Sequence, residues 1–528
     1  MKKLNYIKYI ALALLLVNTL VACDADKLLQ ESPDDLTTDD FYRNQEDAEG
    51  AVAAAYSQLE CATEYWSFAE VKFVVDNYRS DLTQYGKDAA NYPNWTDIAN
   101  FTNEFGNTQV TTYWDRHYKG VNFANQVITF VGAMEDEKID PKVREELVAE
   151  ARFLRGFYHF KLLMNFEEII LRDKVATSVE DAAQGLSPRT EAWEHIIADF
   201  KAAAEKLPVS RNAENIGRVT KGAAVAMAAK CLLFRSGEEP NNKADYLNEA
   251  KALFNSVVEG GEYSYQLVDD FPSMFDGTNE NSSESLFELQ LSPVTAGGAY
   301  YKFPSHRWLR VGDLGGWDEI RAADNLFGIM TKEGMTATDG GYDHRVLGSL
   351  IFDHPYYNDE NNPPFFEYTW NTLCGWYQAG EWTNEQVPGV DYSDVAFRKY
   401  LPANGEFWEN QSSVNIPLLR YADVLLMYAE VLNELNEPET ALTYINEVRA
   451  VHGKMPALTG LNQEAVREQI EFERIMEFTM EGARFFDLRR WGKLEEAMAA
   501  AGRQYFKLDQ HAFFPIPQKE VISNNALN

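Results

Sequence analysis

From Asp140 to Asn165 the residues Val143, Leu147, Ala151, Leu154, Tyr158 and Leu162 step by three or four, which draws one apolar stripe along a helix. A chain that repeats this pattern must bury each stripe against another helix. Three more such stretches follow: Glu191 to Leu207, stopped by Pro208; Thr220 to Phe234; and Ala244 to Val258, ended by Gly260-Gly261. Near the other end, Tyr421, Val424, Leu425, Tyr428, Leu432 and Leu435 mark a further helix, and Pro438 opens the next, with Ala441, Leu442, Ile445 and Val448 turned inward. These are helix–turn–helix pairs of tetratricopeptide size, ~34 residues per unit. Ala223, Ala224, Ala228 and Ala229 allow the close approach that such packing needs. The expected fold class is mainly α, with tetratricopeptide-like repeats at about 140–260 and 416–455 and a C-terminal helical segment at 460–528.

Between the two sets of pairs, 262–415, the character changes. Gly, Pro, Asn and aromatic residues dominate, with short strand candidates such as Ser285 to Leu291. A long loop-rich insertion in a helical body carries function more often than disorder when it is this aromatic.

Residues 1–22 have a basic start (Lys2, Lys3, Lys8) and a short apolar run, Ile10 to Val17, the layout of an export signal. Leu20-Val21-Ala22-Cys23 is similar to a bacterial lipobox, so Cys23 is the expected lipid attachment point, and lipid chains anchor through roughly 0.8 kcal/mol per buried methylene. The acidic stretch 23–40 reads as a tether, and 41–528 as a single folded domain.

The 82 acidic against 48 basic residues leave a net charge of −34, which repels nucleic acid and anionic polymers and suits a neutral ligand. Cysteine is sparse (Cys23, Cys61, Cys231, Cys374) and forms no C-x-x-C pair, so neither zinc nor redox chemistry is indicated; Cys231, inside an apolar helix, reads as core. No H-E-x-x-H, G-x-S-x-G, phosphate loop or dinucleotide fingerprint appears. Neither a metal, a cofactor nor a catalytic group is expected, and the chain is not read as an enzyme.

Glu473, Glu477 and Glu481, spaced by four, place three carboxylates on one helix face. Two carboxylates about 5–10 Å apart serve a glycosidase. The nearby Arg474, Arg484, Arg489 and Arg490 favour instead an Arg–Glu network that locks the C-terminal helices into the repeats, and Glu150, Arg152 and Arg155 read alike.

Aromatic residues supply the binding candidates. Trp308, Trp317, Trp370, Trp376, Trp382 and Trp408 fall in the insertion, and Tyr85, Tyr92, Trp95, Phe101 and Phe105 sit in a polar stretch with Asn91, Asn94 and Asn100. Sugars present apolar C–H faces and hydroxyl rims, so a site for them needs flat rings beside amide, carboxylate or guanidinium partners. The competing reading is that each ring pins its own loop to the body. Trp193 and Trp491, within helices, are expected in the core.

Several segments together resemble the SusD/RagB family along nearly the whole chain. They are Pro33 to Phe41; Glu150-Ala-Arg-Phe-Leu-Arg-Gly-Phe-Tyr-His-Phe160; Gly217-Arg-Val-Thr-Lys-Gly-Ala-Ala224; Arg420-Tyr-Ala-Asp-Val-Leu-Leu-Met-Tyr-Ala-Glu430; Glu473 to Trp491; and Pro515-Ile-Pro517. Asn165-Phe-Glu-Glu-Ile-Ile-Leu171 departs from the Gly-x-Val/Ile-Pro loop of many members. The resemblance implies a lipid-anchored receptor on the outer-membrane surface that captures neutral oligo- or polysaccharide and passes it to a SusC-type TonB-dependent barrel. Since Asp24 keeps lipoproteins of some bacteria in the inner membrane, the surface placement comes from the resemblance. A peptide receptor of the same architecture and a non-binding scaffold for the transporter are the alternatives. In starch-binding relatives the ligand rests on an aromatic arc from an N-terminal loop and the long insertion. The comparable regions here are Tyr85–Trp95 and Tyr300–Trp317; the binding candidates chosen in and beside them are Asp81, Tyr92, Asn94, Trp95, Tyr301, Trp308, Arg310 and Trp317, with Trp95, Trp308 and Trp317 as the expected platform assisted by Asn94, Asp81 and Arg310.

Overall fold

The computed structural model describes residues 41–59, 68–86, 88–293, 302–310, 316–352, 354–361, 363–370, 372, 377–378, 381–382 and 395–527. The export signal, the tether with Cys23, and Cys61, Tyr301, Cys374 and Trp376 lie outside these residues.

The chain is mostly helical. Its first helices are α1 (Gln45–Tyr56), α2 (Phe68–Asn77), α3 (Pro93–Asn100), α4 (Thr108–Gln126) and α5 (Pro141–Asn165), followed by α6 (Arg189–Lys206), α7 (Lys221–Glu238) and α8 (Lys243–Val258). After the insertion come α9 (Tyr421–Glu434), α10 (Pro438–Val451), α11 (Gln463–Phe478) and α12 (Arg484–Arg490). Side chains before the helices set the starts. Asn107 accepts hydrogen bonds from the amides of Gln109 and Val110, Asp140 from those of Lys142 and Val143, and Asn462 from that of Ala465. Each satisfies a donor that the first turn leaves open, worth about 1 kcal/mol. Pro141 and Pro438 stand where a missing N–H costs nothing.

The helices pack as successive pairs, α5 on α6, α6 on α7, α7 on α8, then α9 on α10, with α8 meeting α9 across the insertion. Gly156 lets α5 approach α6, where a Cβ would already lie 3.3 Å from Asp199 and Phe200. The five alanines of α7 and Cys231 are all buried, and burial pushes the Cys231 thiol pKa up. Among the described residues no helix is long and apolar enough to cross a membrane.

The insertion is irregular and is tied to the body by short two-stranded pairs. Strand β2 (Ser285–Leu289), five residues of the seven-residue candidate, pairs antiparallel with β4 (Ile416–Arg420), which runs directly into α9. A second pair, one of four among the described residues, joins β1 (Thr83–Tyr85) to β3 (Ile320–Ala322). Trp193 is in the core as expected; Trp491 is only half-buried, its indole N–H donating to Glu430 at 2.9 Å.

Candidate functional site

The β1–β3 pair brings together two segments that are far apart in the sequence. Thr83 faces Ala322, Gln84 faces Arg321 and Tyr85 faces Ile320. The turn beyond β1 demands glycine. The Gly86 amide donates to the Glu319 carbonyl at 2.8 Å, and a Cβ at Gly86 would fall 2.0 Å from the Asp318 carbonyl oxygen. The insertion is strapped back on itself, since the amides of Trp317, Asp318 and Glu319 donate to the carbonyls of Arg307, Arg310 and Trp308. On the other side Tyr92 and Pro93 open α3, which stops at Phe101 in the left-handed region (φ 58°).

This junction sorts the candidate residues. Trp95 is 2% exposed and Trp308 fully buried, their rings 6.1 Å apart and edge to face. Phe73 and Phe303 enclose Trp308 further. The two indoles expected to form an open platform are therefore the apolar floor beneath it. Arg310 is also interior, with its guanidinium 4.3 Å from the centre of the Phe407 ring. Burial and then the neighbouring Arg307 lower its pKa to about 9. Asp81 is buried and accepts two 2.9 Å hydrogen bonds from Arg484, so it fastens the N-terminal segment to α12 and does not face a ligand.

The remaining candidates stay at the surface. Tyr92 is 36% exposed and stacks on Trp95 at 4.7 Å with 22° between the planes. Asn94 is half-buried and donates to Thr108 Oγ1 at 3.0 Å. Trp317 is half-buried against the core. Tyr85, named in the aromatic cluster but not among the candidates, is 40% exposed at the end of β1. Its signal was its place in a short strand, where alternate side chains face opposite ways. Tyr92 thus rests on the buried Trp95–Trp308 pair, while exposed Tyr85 ends β1 and half-buried Trp317 stands shortly before β3, with Gln84 and the Asp318–Arg321 ion pair in the same two segments.

The carboxylate stripe has a different role. Glu473 and Glu477 lie on α11, but the helix ends at Phe478, so Glu481 stands in the following turn. All three are held by cations. Glu473 meets Arg449 (2.6 Å) and Arg345 (2.7 Å); Glu477 meets Arg420 (2.8 Å) and His452 (3.0 Å); Glu481 meets Arg420 (2.8 Å) and Lys399 (2.7 Å). Glu150 takes two hydrogen bonds from Arg218 and Asp199 two from Arg155, while Arg474 bridges Asp423 and Asp487. Glu284, His452 and Glu477 present ligand atoms within 4.8 Å of one another, a spacing a metal ion could use. Those atoms are already engaged by Arg420 and by the imidazole itself, which bonds both carboxylates and has no lone pair to give when protonated. A cavity of about 120 Å³ between α2, α5, α7 and β4 is likewise lined by matched charges, Lys161 with Asp76 (2.7 Å) and Lys230 with Asp423 (2.8 Å).

Comparison with known proteins agrees with this architecture. The profile described as SusD family matches residues 248–528, and one described as "Starch-binding associating with outer membrane" matches 34–233. SusD-like protein P2 of Formosa agariphila is 25% identical over 541 residues, covering 98% of each chain. A SusD superfamily protein from Bacteroides vulgatus shares the fold at a TM-score of 0.76 and 24% identity, over 92% of this chain and 98% of that one. Surface glycan-binding protein A from Bacteroides thetaiotaomicron, solved in complex with laminarihexaose, does so at a TM-score of 0.70 and 20% identity, over 92% and 99%.

Proposed function

Since the chain belongs to the SusD family, we propose that it is a surface receptor for a neutral oligo- or polysaccharide. In this reading it is anchored to the outer membrane through Cys23 and delivers its ligand to a SusC-type TonB-dependent barrel. The observation that carries the proposal is the exposed Tyr92 ring stacked on buried Trp95, at the point where β1 and β3 join the two segments. A phenol ring pinned this way offers a flat apolar surface without losing freedom on binding, which lowers the entropic cost of capture. Gln84, Asn94 and Arg321, each half-buried, supply polar groups for hydroxyls in the segments that meet there, with buried Asp318 holding Arg321 in place. The net charge of −34 turns away anionic polymers and leaves uncharged glycans favoured. Two further points support a glucan in particular: one matching profile describes starch binding, and a protein of this fold was solved with laminarihexaose.

The test is a glycan array followed by calorimetry on residues 24–528. Tyr85→Ala/Tyr92→Ala is expected to weaken the best glycan at least tenfold, about 1.4 kcal/mol. Its melting temperature should barely move, because surface substitutions stay within ~0.5 kcal/mol. Unchanged affinity in the double variant refutes the site; a protein that binds no glycan on the array refutes the receptor.

A further inference from the structure

We propose that the glycan surface continues from Tyr85 and Tyr92 onto the C-terminal segment 503–510, with Tyr505 as an additional stacking residue, so that the ligand is a chain several sugars long. The inference rests on the receptor reading above and extends it to a C-terminal stretch outside the two aromatic clusters singled out above.

Arg503 staples the tail to the candidate site. Its guanidinium donates to the carbonyls of Ser80 (3.1 Å) and Thr83, which flank the start of β1, and to that of Ala99 (3.3 Å) near the end of α3. The Tyr85 phenol lies within electrostatic reach of the same guanidinium. Three residues on, Phe506 packs edge to face on Phe101, the residue that ends α3, at 4.9 Å. Tyr505 therefore sits between two anchored neighbours, and the backbone that carries it is fixed to both elements of the site. Yet its ring is 53% exposed.

Burial cannot account for a tyrosine in that position, whereas a ligand can. Gln504, Lys507, Asp509 and Gln510 are its near neighbours along the chain and are all exposed, so the same segment offers amides and one charge of each sign for hydroxyl recognition. Among the described residues, eleven large apolar side chains are exposed, and five of them (Tyr85, Tyr92, Phe105, Tyr505, Leu508) belong to these adjoining segments. Such a concentration in adjoining segments marks a contact surface and not scattered exposure. Three of the five are phenols, and Arg503 and Phe506 fix the Tyr505 segment to β1 and to the end of α3, so the occupant it fits is the far end of the same uncharged chain.

The experiment compares laminarihexaose and laminaribiose, and the best hexasaccharide and disaccharide pair from the array, on the mature chain. Tyr505→Ala is expected to weaken hexasaccharide binding about tenfold and disaccharide binding less than twofold, with an unchanged melting temperature. Tyr505→Phe keeps the ring and should restore hexasaccharide affinity. If Tyr92→Ala weakens both lengths while Tyr505→Ala changes neither, or changes both equally, this inference falls and the receptor reading stands. If the wild-type protein binds no hexasaccharide on the array, both fall.

Discussion

His452 offers a stability test that can be worked from the structure. It is completely buried between Glu477 (3.0 Å from Nδ1) and Glu284 (3.0 Å from Nε2), and it ties the end of α10 to α11 and to the segment before β2. Burial alone drives the proton off. The Glu477 and Glu284 carboxylates overcome it and push the pKa up to about 9. An unfolded histidine titrates near 6.5, so the folded state holds its proton more tightly. The stabilisation is then complete below pH 6.5 and disappears as pH rises through about 9. A difference of roughly 2.5 pH units at 1.36 kcal/mol each sets an upper bound of ~3.4 kcal/mol. Unfolding entropy is about 2.1 cal/mol/K per residue, or near 1 kcal/mol/K for this length, so the melting temperature should fall by roughly 3 °C between pH 6.5 and 9.5. The assay is calorimetric melting at fixed ionic strength, wild type against His452→Gln. The variant should melt lower at pH 6.5 and show a flatter profile to pH 9.5. Parallel profiles would refute the argument. The acid side runs the other way. His117, His159 and His306 are buried, and desolvation lowers their pKa values, that of His306 to about 3. Their contribution is present above pH 6.5 and is lost as pH falls through the unfolded value, in wild type and variant alike.

Three other outcomes follow from the geometry. Trp308→Ala removes a fully enclosed indole and should cost ~3–5 kcal/mol, read in denaturant unfolding, so its effect is on stability and not selectively on affinity. Arg420→Met removes the one guanidinium shared by buried Glu284, Glu477 and Glu481, leaving them to His452 and Lys399, and the loss of a buried partner predicts ~3–5 kcal/mol of destabilisation; a melt within 1 °C of wild type would contradict it. Gly86→Ala drives a methyl into the Asp318 carbonyl and should part β1 from β3. Glycan affinity in calorimetry is expected to fall more than tenfold, while the helical signal in circular dichroism stays.

Much of the scaffold was legible because helices are written locally. The apolar stripe at 140–165 became α5 at Pro141–Asn165, and the next stretches became α6, α7 and α8 with ends shifted by at most a few residues. Caps, prolines and three-to-four spacing act within one or two turns, so the sequence carries them in full. The arginines near Glu473–Glu481 announced an ion network by composition, but not which partners they take. Arg420 and His452, the main partners of Glu477, come from β4 and the end of α10.

Sequence alone determined a helical-pair body, an irregular aromatic insertion and an excess of negative charge suited to a neutral ligand. Only the tertiary structure decided which rings reach solvent. Trp95 and Trp308 share the polar, glycine-rich surroundings of Tyr92 and Trp317, yet they meet each other across the β1–β3 junction and fill the space beneath it. Whether an aromatic ring is floor or platform depends on what arrives from hundreds of residues away, and no local pattern encodes that arrival.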